Sequence, residues 1–308
     1  MNKRLPLLVL VGPTATGKTE VAVQLAKRLN GEVVSADSMQ VYRYMDIGTA
    51  KPTRRERGGI PHHLIDVVDP DEPFNAAVYQ VLALRAVGEV AARGRLPIVT
   101  GGTGLYIRAV TDPYSFGQTP GDPRLRRQLE EEARTLGGRN LHRRLAAVDP
   151  QAAGRLHPND VRRVVRALEV YLLTGRPLHE HLAADAGRPQ PFLPFLFGLT
   201  MDRALAYRRI EERVEDMLAR GLVDEVAGLL DRGYSRRLTS MQGLGYKELA
   251  AYLEGETSYG QAVALIKQGT RRLAKRQWTW FGRDPRIVWF SSGTDAEKVR
   301  AVEEIASV

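Results

Sequence analysis

Eight residues near the start of the chain, residues 12–19, have the composition and spacing of a loop that binds phosphate groups. They read Gly-Pro-Thr-Ala-Thr-Gly-Lys-Thr, a glycine followed by four residues and then Gly-Lys-Thr. The glycines let the backbone bend until successive N–H groups point at phosphate oxygens, Lys18 adds a positive charge, and the Thr19 hydroxyl is a ligand for Mg²⁺. The loop therefore predicts a site for a diphosphate or triphosphate. Its predicted phosphate-binding residues are Gly12, Thr14, Ala15, Thr16, Gly17, Lys18 and Thr19.

The segments on both sides of this loop agree with the prediction. An apolar run at 5–11 precedes it and predicts a strand, and Val21, Leu25 and Leu29 follow it at helical spacing. A strand, a phosphate loop and an amphipathic helix in this order are typical of an α/β protein with a parallel sheet.

Asp37 follows a second predicted strand, residues 32–36. Ligands of α/β proteins bind at the carboxyl ends of parallel strands, so this carboxylate is placed where a general base would act. Aspartate and serine are also favoured at helix N-caps, and a capping role explains Asp37 equally well without excluding catalysis.

A third predicted strand, residues 96–100, ends in a second glycine-rich turn that reads Gly101-Gly-Thr-Gly. A typical ATPase has an acidic residue at the end of such a strand to hold magnesium, whereas this chain has Thr100. Glycines let the backbone and the Thr103 hydroxyl approach a ligand closely. The alternative is a tight turn between a strand and a helix, with no ligand.

From about residue 115 to residue 193 the predicted strands disappear and arginine-rich helical segments follow one another. We therefore predict an all-helical insertion domain at 115–193, between two parts of an α/β core at 1–114 and 194–308. A strand at 195–199 resumes the sheet, and a helix at 204–220 follows it. Arg209 and Arg213 lie one turn apart on this helix, and either one can reach the phosphate site. The spacing alone is equally compatible with arginines exposed on the surface.

The net charge of the chain is +9, and residues 262–283 contain six Lys and Arg residues with no acidic residue. Lys267, Arg271 and Lys275 form one row on the predicted helix, where like charges repel one another. A polyanion such as nucleic acid would relieve this repulsion, and the same stretch contains Trp278 and Trp280. The alternative is a basic face exposed to solvent.

The 308 residues, of which 43% are hydrophobic and 26% charged, are typical of a soluble globular protein. We expect no membrane partner, because no apolar stretch approaches the roughly 18 residues that cross a bilayer. The absence of cysteine is consistent with the cytoplasm, where we expect the protein to act.

The ordered set of motifs in this chain resembles the bacterial tRNA dimethylallyltransferases. The resemblance extends from the phosphate loop to about Phe281 and is carried by Gly12-Pro-Thr-Ala-Thr-Gly-Lys-Thr, Asp37-Ser-Met-Gln-Val-Tyr-Arg, Asp46-Ile-Gly-Thr-Ala-Lys-Pro, His63-Leu-Ile-Asp, Gly101-Gly-Thr-Gly-Leu-Tyr, His157-Pro-Asn-Asp, Arg166-Ala-Leu-Glu-Val-Tyr, Gly245-Tyr and Lys275-Arg-Gln. It implies a P-loop, kinase-like parallel sheet flanked by helices, with an all-helical insertion that grips the anticodon stem-loop.

The same resemblance implies that a dimethylallyl group passes from dimethylallyl diphosphate to the exocyclic amine of adenine 37, in tRNAs reading codons that begin with U. It implies that Asp37 is the base and that Thr103 and Arg209 contact the diphosphate and its bridging oxygen. From the phosphate-loop motif, we expect Thr19 to ligate a Mg²⁺ cofactor. We expect the enzyme to act as a monomer. The residues that the resemblance places on tRNA are Asp37, Ser38, Met39, Gln40, Arg162, Arg163, Arg166, Gln242, Gly245, Tyr246, Lys247, Lys275, Arg276 and Arg283.

Two other functions are compatible with the phosphate loop alone. One is a small-molecule kinase that binds ATP in the loop and uses Asp37 to activate a hydroxyl group. The other is an NTPase that binds nucleic acid without transfer chemistry. The missing acidic residue at Thr100 argues against both, and the basic C-terminal half argues against the kinase.

Overall fold

A computed structural model describes residues 4–113, 121–185 and 192–308 of the chain. The chain divides into two units, one formed by Met1–Thr111 with Pro191–Val308 and the other by Asp112–Gln190. The predicted boundaries at 115 and 193 lie a few residues C-terminal to these divisions.

The first unit contains one parallel sheet. Its strands are β1 (Leu5–Val11), β2 (Gly31–Ser35), β3 (His62–His63), β4 (Leu96–Gly101), β5 (Phe192–Thr200) and β6 (Val288–Ser291). Their order across the sheet is β3-β2-β4-β1-β5-β6, and every pair is parallel. Helices cover both faces of such a sheet, which explains why β1 reads as a continuous apolar run rather than an alternating one. The α/β fold predicted from the sequence is confirmed.

Helices make up most of the remaining chain. In order they are α1 (Lys18–Arg28), α2 (Arg54–Arg57), α3 (Ala76–Ala92), α4 (Gly104–Thr111), α5 (Pro123–Leu136), α6 (Gly138–Val148), α7 (Pro150–Arg155), α8 (Val161–Thr174), α9 (Leu178–Asp185), α10 (Arg203–Ala219), α11 (Leu222–Asp231), α12 (Tyr246–Leu253), α13 (Tyr259–Phe281) and α14 (Asp295–Ala306). Within the described ranges, no helix is long and apolar enough to cross a membrane.

Apolar clusters of the described residues stabilise the first unit, and two of them show how it is assembled. One lies between the sheet, α1 and α14, where Val21 and Leu25 are buried as their spacing predicts. The other joins α10, α11, α12 and α13 to the segment that follows β2, through residues such as Met45 and Tyr246. Each large apolar side chain buried in these clusters contributes roughly 1.5–3 kcal/mol. The sheet and the C-terminal helices thus share one unit although they are far apart in the sequence.

The insertion unit has an apolar core of its own, formed by α5, α6, α7 and α8. Leu141, Leu145 and Leu168 are almost completely buried in it. Glu169 is also buried, and it accepts hydrogen bonds from Arg126, Arg166 and the backbone N–H of Asp122. These hydrogen bonds replace those that the carboxylate would make with water if it were exposed.

The strand β5 is longer than the predicted 195–199 and contains Pro194. Proline is tolerated at this position because the described pairing of β5 with β6 begins only at Phe197. At Pro194 the strand therefore pairs with β1 on one side only. In the segment 242–248, a 3₁₀ helix at Ser240–Gln242 and the start of α12 occupy most of the residues. Asp160 is the N-cap residue of α8 but forms no capping hydrogen bond through its side chain.

Candidate active site

The phosphate loop connects the end of β1, the central strand, to the start of α1. Gly12 and Ala15 both have positive φ angles, 150° and 66°. A Cβ atom at Gly12 would lie 2.5 Å from the carbonyl oxygen of Leu199, so only glycine fits there. Within the loop, the Thr16 hydroxyl and the Lys18 ammonium donate to the Pro13 carbonyl at 2.8 and 2.6 Å. The loop is therefore held in its curved form by its own side chains.

Lys18 is placed in an environment that disfavours its charge. Burial has the largest effect and, together with the positive charge of Arg213, it lowers the pKa of Lys18 to about 7, while Asp37 acts in the opposite direction. An anion bound in the loop would restore the ammonium form, because an opposite charge within a few ångströms favours ionisation.

A cavity of about 490 Å³ opens beside the loop. Its polar part is lined by the loop, the ends of β2 and β4, and Arg213. Its apolar part is lined by side chains from α10, α11, α13 and the turn before α12: Ile210, Val214, Met217, Leu222, Leu244, Ile266 and Leu273. The cavity can thus accommodate a ligand that has an anionic end and an apolar end.

Asp37 lies at the carboxyl end of β2 and lines this cavity. One carboxylate oxygen accepts hydrogen bonds from the backbone N–H groups of Met39, at 2.8 Å, and Gln40, at 3.4 Å. The second oxygen has no hydrogen-bond partner among the described residues. Asp37 therefore stabilises a turn with one oxygen, and the other remains available to a ligand.

Thr103 is joined directly to the segment that carries Asp37. Its hydroxyl oxygen accepts a hydrogen bond from the Ser38 N–H at 3.1 Å. A Cβ atom at Gly101 would overlap the Ala36 backbone, so the close approach of the two strand ends requires glycine. The structure thus places the Asp37 carboxylate and the Thr103 hydroxyl in one cavity, as the sequence predicts.

Arg209 is not among the residues that line this cavity, contrary to its predicted place beside the diphosphate. Its guanidinium donates to the Gly293 carbonyl at 2.8 Å. Arg213 occupies the expected place instead: it lines the cavity, and its Nη1 lies 3.5 Å from the Thr14 hydroxyl. Burial lowers the pKa of the Arg213 guanidinium, and the negative charge of Asp37 opposes this shift. The spacing on α10 is compatible with either arginine at the cavity. The packing of the helix determines that Arg213 is the one that lines it.

The basic row on α13 is partly neutralised by the protein itself. Lys267 pairs with Glu215 and Arg271 pairs with Glu211, each at 2.5 Å, and both acidic residues belong to α10. Exposed cations on the same helix that form no ion pair with a described residue are Arg272, Lys275 and Arg276, and Arg283 is exposed just beyond its end. The repulsion inferred from the sequence is therefore confined to fewer residues.

Two residues predicted to contact tRNA use their side chains inside the protein. The Gln40 amide bonds to Ser35 and to the carbonyls of Thr49 and Ala50. Tyr246 is fully buried, and its hydroxyl donates to Glu225 at 2.6 Å. Both side chains thus have partners within the protein, and both residues also line the cavity.

The remaining predicted RNA contacts near α12 differ in exposure. Gln242 and Lys247 are exposed, although the Gln242 amide donates to the Arg236 carbonyl at 2.6 Å. Gly245 is buried, with a φ angle of 94° that favours glycine. Met39 packs against the apolar cluster of α10 to α13, next to Gly243.

In the insertion unit, the three predicted arginines of α8 are in two different environments. Arg162 and Arg163 are exposed, and Arg163 lies 3.3 Å from Asp160. Arg166 is partly buried and pairs with the buried Glu169 at 2.7 Å. The first two present their charges to solvent, whereas Arg166 stabilises the interior of the unit.

A single carboxylate of α11 holds the loop at residues 46–50 beside the site. Glu225 of α11 accepts hydrogen bonds from the backbone N–H groups of Asp46, Ile47 and Gly48, as well as from Tyr246. This carboxylate holds the loop at 46–50, part of which lines the cavity. No local spacing reveals a partner so distant in the sequence.

Comparison with known proteins agrees with this geometry. The family model described as IPP transferase matches residues 40–284, and the one described as isopentenyl transferase matches residues 5–67. A tRNA dimethylallyltransferase of Pelotomaculum thermopropionicum is 53% identical, covering 99% of this chain and 96% of its own. One of Desulforudis audaxviator is also 53% identical, covering 97% and 96%.

Two solved structures are similar as well. The full-length tRNA isopentenylpyrophosphate transferase of Bacillus halodurans is 46% identical, with a TM-score of 0.73 and coverage of 98% of this chain and 94% of its own. A eukaryotic dimethylallyltransferase acting on tRNA is 28% identical, with a TM-score of 0.81 and coverage of 98% and 77%. The fold and the site define an α/β enzyme of the phosphate-loop class. Within that class, the chain belongs to the tRNA dimethylallyltransferase family.

Proposed function

We propose that this enzyme transfers a dimethylallyl group from dimethylallyl diphosphate to the exocyclic amine of adenine 37 in tRNAs that read codons beginning with U. The observation that carries the proposal is the cavity in which a phosphate loop, a carboxylate and an apolar wall meet. Dimethylallyl diphosphate matches this cavity, because its diphosphate suits the phosphate loop and its five-carbon group suits the apolar wall. Relatives named tRNA dimethylallyltransferase, about half identical over nearly the full chain, support the choice of acceptor.

The leaving diphosphate is stabilised by positive groups around the loop. When the bond between carbon 1 of the allyl group and the bridging oxygen breaks, its electron pair remains on the diphosphate. Lys18 and Arg213 lie where they can neutralise this charge, together with N–H groups of the loop. Both have pKa values lowered by burial, so a bound anion strengthens their charged forms.

The acceptor nitrogen loses a proton as the new carbon–nitrogen bond forms. An exocyclic amine on adenine is a weak base, so removing this proton as the bond forms lowers the barrier. The unpaired oxygen of Asp37 takes the proton, and the turn formed by Met39 and Gln40 fixes the carboxylate. The bond to carbon 1 forms, the bond to oxygen breaks, and diphosphate leaves.

Magnesium fits this site as a partner of the substrate. Among the described residues, no group of three or more His, Cys, Asp or Glu residues could hold a metal ion. Thr19 lines the cavity at the start of α1, and its hydroxyl can hold Mg²⁺ together with diphosphate oxygens. The bound ion would supply further neutralisation of the leaving group.

The RNA would reach the cavity as an unstacked base. Extruding adenine from the anticodon loop costs a few kcal/mol, which contacts with the phosphate backbone must offset. The exposed cations of α13 are suited to this role, since Arg276 also lines the cavity.

A label-transfer assay tests the proposal. The enzyme is incubated with unmodified tRNA, Mg²⁺ and dimethylallyl diphosphate labelled in the allyl group, and in parallel with γ-labelled ATP and a mixture of small hydroxyl compounds. We expect the allyl label in tRNA at adenine 37 and no transfer from ATP. Transfer from ATP to a small acceptor, without allyl transfer to RNA, would reject the proposal in favour of the kinase.

A further inference from the structure

Gln277 connects two segments of the active site that are far apart in the sequence. Its amide oxygen accepts a hydrogen bond from the Thr14 N–H of the phosphate loop at 2.9 Å. Its amide nitrogen donates to the Gly102 carbonyl, in the turn after β4, at 3.0 Å. The side chain belongs to α13 and is only 9% exposed. It therefore lies inside the protein although it is part of the Lys-Arg-Gln motif associated with RNA binding.

The two partners fix the orientation of this amide. Thr14 offers a donor and Gly102 offers an acceptor, so the oxygen must face the loop and the nitrogen must face the turn. A Cβ atom at Gly102 would overlap the amide nitrogen of Gln277. A side chain at this position of the turn would therefore have to displace the Gln277 amide.

The contacts of Gln277 continue directly to the reacting groups. Thr103 follows Gly102 in the chain, and its hydroxyl accepts the N–H of Ser38, the residue after Asp37. A continuous series of hydrogen bonds and peptide bonds thus leads from the phosphate loop, through Gln277, to the carboxylate.

We infer that Gln277 is a positioning residue that holds the phosphate loop and the Asp37 segment in the geometry needed for transfer. The inference rests on the proposed function for the identity of the donor. Helix α13 presents exposed cations on its outer face. On its inner face, the Gln277 amide thereby holds both parts of the donor site. An RNA contact by Gln277 is incompatible with its burial and with its two internal partners.

Two substitutions separate the contributions of the amide. Gln277→Met keeps the length of the side chain and removes both hydrogen bonds. Gln277→Glu keeps an acceptor for Thr14 but, when ionised, places a carboxylate oxygen against the Gly102 carbonyl.

We expect Gln277→Met to lower kcat about 10- to 100-fold, because two buried backbone groups lose their partner and the loop shifts. Its KM for tRNA should stay within about threefold of wild type, since the outer face of the helix is unchanged.

The pH dependence of Gln277→Glu gives a signature that a loss of stability would not give. A protonated carboxyl group can donate to Gly102 while still accepting from Thr14, whereas the ionised form cannot. Burial raises the pKa of such a group. The activity of Gln277→Glu relative to wild type should therefore increase as the pH is lowered from 9 to 6. For Gln277→Met the same ratio should not change with pH.

Gln268→Met is the matched control, because it is the same substitution at an exposed position of the same helix. It should leave both kcat and the KM for tRNA unchanged. Calorimetric titration of inorganic diphosphate into RNA-free protein gives a readout that is independent of the acceptor. We expect weaker binding for Gln277→Met and unchanged binding for Gln268→Met.

Two results would overturn the inference. If Gln277→Met changed only the KM for tRNA, the residue would be an RNA contact. If it lowered only the melting temperature, with kcat and diphosphate affinity unchanged, the role would be structural. The diphosphate titration also separates this inference from the proposed function, since it compares the variants even if wild type transfers no allyl group.

Discussion

The two oxygens of the Asp37 carboxylate have different surroundings, and this difference can be tested. One oxygen accepts from Met39 and Gln40, and the other has no hydrogen-bond partner among the described residues, although Asp37 lines the cavity. Asp37→Asn keeps an acceptor for the turn but cannot take up a proton. We expect both Asp37→Asn and Asp37→Ala to lower kcat by about 100-fold or more, with tRNA binding largely intact.

The comparison of these two variants separates catalysis from turn formation. Asp37→Ala should also lose about 1 kcal/mol of stability, as measured by urea denaturation, because the two N–H groups lose their acceptor. If Asp37→Asn turned over at nearly the wild-type rate, Asp37 would have only a structural role.

Arg213 and Arg209 lie one turn apart on α10, and we predict different kinetic effects when each is replaced. Arg213 lines the cavity beside Thr14, whereas Arg209 bonds to Gly293 outside it. Arg213→Gln should raise the KM for the donor and lower kcat by at least about 100-fold, because a buried cation near the leaving group is lost. Arg209→Gln should change both constants by less than about threefold. Steady-state kinetics with varied donor would contradict this assignment if the larger loss occurred at position 209.

Lys18 should make the affinity for diphosphate depend on pH. Its pKa of about 7 in the free protein means that the amine loses its proton as the pH rises through neutrality. Bound diphosphate favours the ammonium, so binding takes up a proton above pH 7 and weakens by up to about tenfold per pH unit.

A control is needed because diphosphate itself also titrates in this pH range. Lys18→Arg serves as this control, because a guanidinium stays charged throughout the range. Calorimetry between pH 6 and 9 should show the ratio of the wild-type to the variant dissociation constant increasing with pH. Parallel curves would mean that Lys18 remains charged throughout.

At the scale of elements, α13 has an inner face that forms the site and an outer face suited to RNA. Replacing Arg272, Lys275 and Arg276 by Gln should weaken tRNA binding. It should also reduce the slope of log K against log salt by about two to three, since each phosphate contact contributes roughly 0.7 to 0.9. Replacing Lys267 and Arg271, which pair with Glu215 and Glu211, should change the slope little. Filter binding at several salt concentrations distinguishes the two sets, and equal slopes would place the first set away from RNA.

Local patterns predicted the elements that bring the phosphate loop and Asp37 together. The apolar run before residue 12 and the helical spacing of Val21 and Leu25 are consequences of burial on the sheet, so they are visible in the sequence. The choice between Arg209 and Arg213 depends on how α10 packs, which spacing on one helix does not determine. The same holds for Gln277, whose partners Thr14 and Gly102 lie far away in the chain.

At the scale of the whole molecule, the site is assembled from the first unit, and the insertion has a separate core. The cavity is lined by residues of the first unit alone. The insertion unit buries Leu141, Leu145 and Leu168 in its own cluster and satisfies Glu169 internally. Independent cores permit one unit to be weakened while the other stays folded.

Leu145→Ala should therefore separate donor binding from RNA modification. Leu145 is 0% exposed, and removing its side chain should cost the insertion unit about 2–5 kcal/mol. Hydrogen exchange should become faster in α5, α6 and α8, while diphosphate affinity stays at the wild-type value and transfer to tRNA decreases. Leu25→Ala, in the cluster behind the phosphate loop, should instead weaken diphosphate binding and leave exchange in the insertion unchanged. If Leu145→Ala weakened diphosphate binding as strongly as Leu25→Ala does, the two units would have to unfold as one.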